Sequence, residues 1–343
     1  MHSSSQGLIR LWIVGLLLLL TLLTACSGQG EKASRASGSE GVPGAAAPSA
    51  SAISNAAPAA QPVIHKFKHV MGEIEWSTPP KRVVGIYTED FLLALGVKPV
   101  TQTVIGNFSL KYLLPEIGNL PKLDTSAISF EAALQAEPDL FVLGFANYGA
   151  EGRYEKFSKI APTYVLPADA PNNWRDTLRT IGELVGKPEE ADKVLKQYSE
   201  KVAAAKKTLE TSVGRETVAL VRIRSNKEIR LYGGPQGYSG SVLYQDLGLE
   251  PPAIVKKLSW GESGGTVPIS MEVLPELDSQ HLFVTIDDGG RELAKELMNS
   301  SIWKNLPAVK NNRVHEVDVD HWMTFGPIAY NKKVDDVLKA LGK

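Results

Sequence analysis

Two arginines close an apolar run, TVALVRIR, at residues 217–224. The run reads as a β-strand, and its two-residue period puts Arg222 and Arg224 on one face near the carboxyl end. A guanidinium keeps its charge and grips paired oxygens of a carboxylate, hydroxamate or catecholate bidentately. A solvated strand end would carry the same residues. Ligands of open α/β sheets bind outside the carboxyl ends of the strands. By that rule the other candidates are aromatic or basic residues on loops that follow strands. Tyr87 directly follows RVVGI, and Arg153 lies in GAEGRYEKF. Tyr238 sits in the Gly-rich stretch YGGPQGYSG, and Trp260 and the pair His321-Trp322 come later. A Gly-rich loop with a tyrosine can lie against a planar ligand. Core packing is the competing reading for the aromatics, and a plain surface position for Arg153.

Two further patterns point to chemistry that the sequence does not sustain. GESGG (261–265) fits G-x-S-x-G, the nucleophile elbow of hydrolases, which needs a strand before it and a helix after it. Here VKKLSW precedes and TVP follows, and Pro268 opposes an immediate helix. An extracellular hydrolase is therefore the alternative from another functional class, and no catalytic residue is assigned. His65 and His69 lie four apart in an apparent hairpin, while His281, His315 and His321 are scattered. A protein-held zinc or manganese ion needs converging histidines and carboxylates, so no direct metal site and no cofactor is expected.

The single cysteine, Cys26, cannot form an internal disulfide. It follows Arg10 and an apolar run at 11–23, thirteen residues that as a helix would fall far short of a bilayer core of about 30 Å. A charged start, a short apolar core and small residues before a cut site describe an export signal. Leu23-Thr24-Ala25-Cys26 resembles the lipobox of bacterial lipoproteins, which implies cleavage before Cys26 and a diacylglyceryl group on its sulfur. The expected place is the outer face of the cytoplasmic membrane, with the lipid anchor as the only membrane contact.

Between Ser27 and Gln61, 26 of 35 residues are Ala, Ser, Gly or Pro, the composition of a tether. The whole chain has a formal charge of −1, which gives no basis for nucleic-acid binding. Beyond the tether, VIHKFKHVMGEIEW (63–76) reads as a β-hairpin with Gly72 near its turn, and EDFLLALG as a helix ending at Gly96. ISFEAALQAEPDLFVLG (128–144) reads as a helix stopped by Pro138 and then a buried strand. Alternation of this kind predicts mostly parallel sheet. NWRDTLRTIGELVG is a helix closed by Gly186, and the next, of about 22 residues, takes Pro188 into its first turn.

The second half echoes the first. ISFEAALQAEPD-LFVL (128–143) aligns with ISMEVLPELDSQHLFVT (269–285), KRVVGI (81–86) with ETVALV (216–221), and LLALGVKPV (92–100) with YQDLGLEPP (244–252). The expected architecture is α/β, with two Rossmann-like lobes joined by one long backbone helix. Its boundaries are a signal at 1–25, lipidated cysteine and tether at 26–61, a first lobe at 62–186, the helix at 187–211 and a second lobe at 212–343.

PKRVVG, LLALGVKPV, ISFEAALQAEPDLFVLG, YEKFSKIAPTYVL, YQDLGLEPP and NSSIWKNLPAVKNNRVHEVD, in this order behind a lipobox, resemble the substrate-binding lipoproteins of ABC importers for ferric siderophores, haem and vitamin B12. The resemblance implies a monomer that captures a ferric siderophore, of hydroxamate or citrate type, between its lobes. It implies that arginines from the lobes face the ligand, and that one glutamate per lobe, Glu131 and Glu272 here, docks on the permease. A haem or cobalamin binder is the alternative within the class.

Overall fold

The computed structural model describes residues 63–106, 108–261 and 265–343. Cys26, the apolar run before it and the tether lie outside the described residues, as do Glu262, Ser263 and Gly264 of GESGG. Among the described residues no helix is long and apolar enough to cross a membrane.

The hairpin forms from β1 (His65–His69) and β2 (Gly72–Trp76), with His69 opposite Gly72. The first lobe continues with β3 (Val83–Ile86), α1 (Glu89–Ala94), β4 (Gln102–Ile105), β5 (Phe108–Ser109), α2 (Leu114–Ile117), β6 (Lys122–Asp124), α3 (Phe130–Gln135), β7 (Leu140–Leu143), α4 (Arg153–Ser158) and β8 (Thr163–Val165). Strands β3, β7 and β8 form a parallel sheet in that order, and β4 pairs parallel with β6 and antiparallel with β5. VVGI and LFVL are buried throughout, as expected of strands covered on both faces. Helix α3 is started by the Ser129 hydroxyl, which accepts the Ala132 N–H.

Helices α5 (Trp174–Leu184) and α6 (Pro188–Ser212) meet at Gly186, whose φ of 66° only glycine adopts without strain. Helix α6 has 25 residues, three more than its sequence pattern predicts. It packs against α5 on one flank and the last helix of the chain on another.

The second lobe contains β9 (Val218–Ile223), β10 (Ile229–Tyr232), α7 (Ala253–Ser259), β11 (Thr266–Ile269), β12 (His281–Ile286), α8 (Arg291–Asn299), α9 (Ser301–Lys304), α10 (Pro307–Lys310), β13 (Val314–Glu316), α11 (Val319–Trp322) and α12 (Pro327–Leu341). Its sheet runs β11-β10-β9-β12-β13, with β9, β12 and β13 parallel and β10 antiparallel to both β9 and β11. The internal echo has structural counterparts. β3 pairs with β7 as β9 pairs with β12, and Gly96 and Gly248 both turn left-handed, at φ 71° and 69°. One difference separates the halves. Where the first has α3, the second has a single 3₁₀ turn at Leu274–Glu276. Pro275 cannot donate to an α-helical ladder, so the turn does not propagate. GESGG lies between a helix, α7, and a strand, β11. This order is the reverse of a nucleophile elbow, so the motif gives the hydrolase alternative no support.

Two carboxylates are buried at the start of α1. Asp90 accepts the Ile328 and Ala329 N–H groups at the head of α12, at 2.8 and 2.9 Å, and the Tyr112 hydroxyl at 2.7 Å. Glu89 accepts the Thr103 N–H at 2.6 Å through one oxygen, while the other is buried without a partner. Burial raises Glu89 to about 7 from an ordinary 4.5. The folded chain therefore holds a proton, between those values, that the unfolded chain has released. Glu89's stabilisation is present below this window and is lost as pH rises through 7. Lys333, pushed below its usual range by burial, acts in the opposite direction, so the quantity to read is a difference between variants. On acidifying from pH 8 to 6, the wild type should gain about 1 kcal/mol relative to Glu89→Gln in urea unfolding. Parallel pH profiles for the two proteins would show that Glu89 stays ionised.

Candidate ligand-binding cleft

The carboxyl ends of the central strands converge between the lobes. β3 ends at Ile86 and is followed by Tyr87, a non-glycine residue at φ 61°, a strained conformation that the surroundings must enforce. β7 is followed by Gly144 and Phe145. The Tyr87 and Phe145 rings lie 5.4 Å apart, and Phe325 of the second lobe meets them at 6.1 and 5.5 Å. Tyr238 stacks on Phe325 at 5.8 Å with 22° between planes, and Tyr148 meets Phe145 at 5.9 Å. Rings from both lobes thus form one cluster. Burial raises the Tyr87 and Tyr238 hydroxyls, which stay protonated donors.

Beside the rings lies the arginine face of the second sheet. Arg222 and Arg224 share it, as the strand period predicts, and Arg230 of β10 stands directly opposite Arg222. The first two are expected to grip an anionic ligand, and in this structure they already have carboxylate partners. Both guanidiniums are held within the lobe. Arg222 grips Asp287 bidentately at 2.7 and 3.2 Å and donates to the Tyr232 hydroxyl at 2.9 Å. Arg224 donates to Glu228 at 2.9 Å, and so does Arg230, at 2.8 and 3.0 Å. These hydrogen bonds, Arg230's foremost, hold Glu228 at about 2. Arg222 still lines a cavity of about 220 Å³ between the lobes, with Ser225, Asp288 and Asp320 on its own side and Phe108 and Lys111 opposite. An ion pair crosses the cavity, Lys111 to Asp288 at 2.9 Å.

The remaining candidates separate. Tyr87 and Tyr238 both belong to the ring cluster. Arg153 is turned into its own loop, donating to the Tyr148 and Asn147 carbonyls at 3.3 and 2.7 Å and to Glu151 at 3.1 Å. Trp260 is half exposed, donates to the Gly233 carbonyl at 2.7 Å and packs on Tyr244, apart from the ring cluster. Trp322 is fully buried against Phe283, and its indole donates to Asp336 at 2.8 Å. His321 is buried too and meets the same carboxylate at 2.7 Å. The polar groups of Arg153, Trp260, His321 and Trp322 thus have protein partners in this structure, and none of the four joins the ring cluster. Phe145, Asp287 and Asp288 each follow a strand end as Tyr87 does, so the rule that finds Tyr87 would have found them. Arg230 becomes visible once the β9–β10 hairpin fixes the register.

Glu131 and Glu272 are both exposed, and neither takes part in an ion pair among the described residues. Leu134, one turn beyond Glu131, is 58% exposed.

A family model for periplasmic binding proteins matches residues 89–320, more than half of the chain. The chain belongs to that family. Among known periplasmic binding proteins and their kin, the iron(3+)-hydroxamate-binding protein YxeB of Bacillus subtilis is 30% identical over 81% of this chain and 85% of its own. The iron(3+)-hydroxamate-binding protein FhuD of the same organism is 29% identical over 81% and 86%. The crystal structure of Staphylococcus aureus SirA complexed with staphyloferrin B superposes with a TM-score of 0.69 at 30% identity, covering 80% of this chain and 98% of that one. The SirA structure shares the α/β architecture described above.

Proposed function

We propose that the protein captures a ferric siderophore in the cleft between its lobes and delivers it to the permease of an ABC importer. The carrying observation is the cluster of Tyr87, Phe145, Tyr238 and Phe325, to which both lobes contribute at the carboxyl ends of their strands. Such a site gives a ligand apolar area on both sides and a few fixed polar groups. The siderophore itself supplies the oxygen ligands of iron. The names of the relatives support a hydroxamate, and so does the charge of the site. Three hydroxamates neutralise ferric iron, and a neutral complex suits a cleft whose guanidiniums are already paired. A multiply charged anion would have to displace Asp287 from Arg222 or Glu228 from Arg224 and Arg230, and breaking such pairs leaves a desolvated charge behind. The cavity of about 220 Å³ adjoins a hollow of about 450 Å³ at the Lys111–Asp288 pair, and together they give the room a small-molecule ligand needs.

Anchoring through a lipid on Cys26 follows from the LTAC stretch, and two acyl chains hold a soluble domain stably at a membrane. Glu131 and Glu272 are read as the permease contacts, one per lobe. Their exposure and freedom from ion pairing support this role, since charges at a rim govern docking and orientation.

Titration of intrinsic tryptophan fluorescence with ferric trihydroxamates, ferric citrate, a ferric tris-catecholate, haemin and cobalamin tests the function. The trihydroxamate complexes should bind most tightly. Saturation by haemin or cobalamin alone would overturn the proposal. Charge reversal at both Glu131 and Glu272 should leave this affinity within about twofold and abolish cellular uptake of the iron complex. Loss of ligand binding in vitro would place these acids in the cleft instead.

A further inference from the structure

The left-handed backbone of Tyr87 needs a physical cause. At φ 61° a tyrosine holds a conformation that its β-carbon disfavours, and it stays there only where neighbouring groups fix it. The ring presented by that turn is one wall of the cluster, 5.4 Å from Phe145 and 6.1 Å from Phe325. The Tyr87 N–H donates to the hydroxyl of Thr103, at 3.1 Å.

Thr103 stands in β4 and is 5% exposed. Its hydroxyl accepts from Tyr87 and donates to the Gly85 carbonyl at 3.2 Å. Those two backbone groups flank Ile86, and a neighbouring strand in a parallel ladder would bond the same pair with its own backbone. β3 and β4 belong to separate sheets, so one side-chain hydroxyl, both donor and acceptor, stands in for that ladder. The hydroxyl is itself well placed. The Thr103 N–H donates to Glu89 at 2.6 Å, and the residue pairs with Leu123 of β6. On the other flank of β3, the Gly144 N–H donates to the Ile86 carbonyl at 2.8 Å. A β-carbon at Gly144 would stand 2.8 Å from that carbonyl oxygen and 3.1 Å from the one of Tyr87. The end of β3 is thus gripped from both sides.

We propose that Thr103 is a positioning residue of the cleft, whose hydroxyl locks the backbone turn that presents the Tyr87 ring to Phe145 and Phe325. The proposal rests on the function given above and adds the residue that sets one wall of the site from beneath. Without the hydroxyl, the Tyr87 N–H loses its acceptor, and nothing on that flank opposes relaxation toward negative φ. The relaxed backbone carries the ring away from Phe325, and the ligand loses an apolar surface that the first lobe supplies.

The test measures the affinity of the full chain for a ferric trihydroxamate by calorimetry. Thr103→Val, close in shape but without the hydroxyl, should weaken binding by about tenfold, the range of one lost hydrogen bond. Thr103→Ser, which keeps the hydroxyl, should stay within about twofold of the wild type. In a Tyr87→Ala background, Thr103→Val should add less than about twofold, because the ring it positions is already gone. Unchanged affinity in Thr103→Val would overturn the proposal, and so would a tenfold loss that recurs in the Tyr87→Ala background. A second measurement does not depend on the valine variant folding. In urea unfolding Tyr87→Gly should be more stable than Tyr87→Ala, because glycine alone adopts this φ without strain. Greater stability of the alanine variant would show that the turn is not enforced and would overturn the proposal. Absence of trihydroxamate binding by the wild type would overturn the function on which the positioning role depends.

Discussion

One buried carboxylate ties the lobes together. Asp90 leaves the first lobe at the start of α1 and accepts two backbone N–H groups at the head of α12, a helix of the second lobe. An isolated carboxylate at that depth would be untenable, but three donors and the positive end of a 15-residue helix compensate for its lost water. The contact also requires Gly326. A β-carbon there would stand 2.4 Å from the Asp90 carboxyl carbon, and the backbone sits at φ 141°. Farther along the same helix, Lys333 is fully buried and donates to the Tyr238 and Thr324 carbonyls at 2.6 and 2.7 Å. Helix α12 is thus a common frame: its head is fixed to the first lobe, and its flank fixes the loops that carry Tyr238 and Phe325. The spacing of rings across the cleft depends on both attachments.

Charge pairing inside the second lobe sets what the cleft can accept. Three arginines on one sheet face would make a strongly positive wall if they stood open. Asp287 and Glu228 instead engage all three, which turns the wall into an ordered set of donors with one net positive charge. On the proposed function, a ligand would meet the apolar rings together with arginines that are already ordered by their carboxylate partners.

Much of the fold is legible in the sequence because its signals are local. Pro188, Gly186, Ser129 and the apolar strand runs each act within a few residues, and each element forms where its signal lies. The repeated segments also indicated two similar lobes. The 3₁₀ turn at Leu274–Glu276 departs from its counterpart for an equally local reason, Pro275. The cleft was only half legible. Tyr87, Tyr238 and the shared face of Arg222 and Arg224 follow from strand ends and period. What became of the arginines does not, because Asp287 lies 65 residues from Arg222 and only the parallel pairing of β9 with β12 brings them together. Trp322 and His321 looked like loop aromatics. Asp336 of α12 draws both inward, and no sequence spacing announces that.

The central claim is that the ligand lies between the lobes, against the ring cluster. Hydrogen–deuterium exchange of the full chain, with and without a ferric trihydroxamate, tests it most directly. Exchange should slow at 108–113, 222–230, 236–241 and 319–326, segments from both lobes that surround the cleft. Unchanged exchange in those segments, with protection instead around the hairpin at 65–76, would contradict the account.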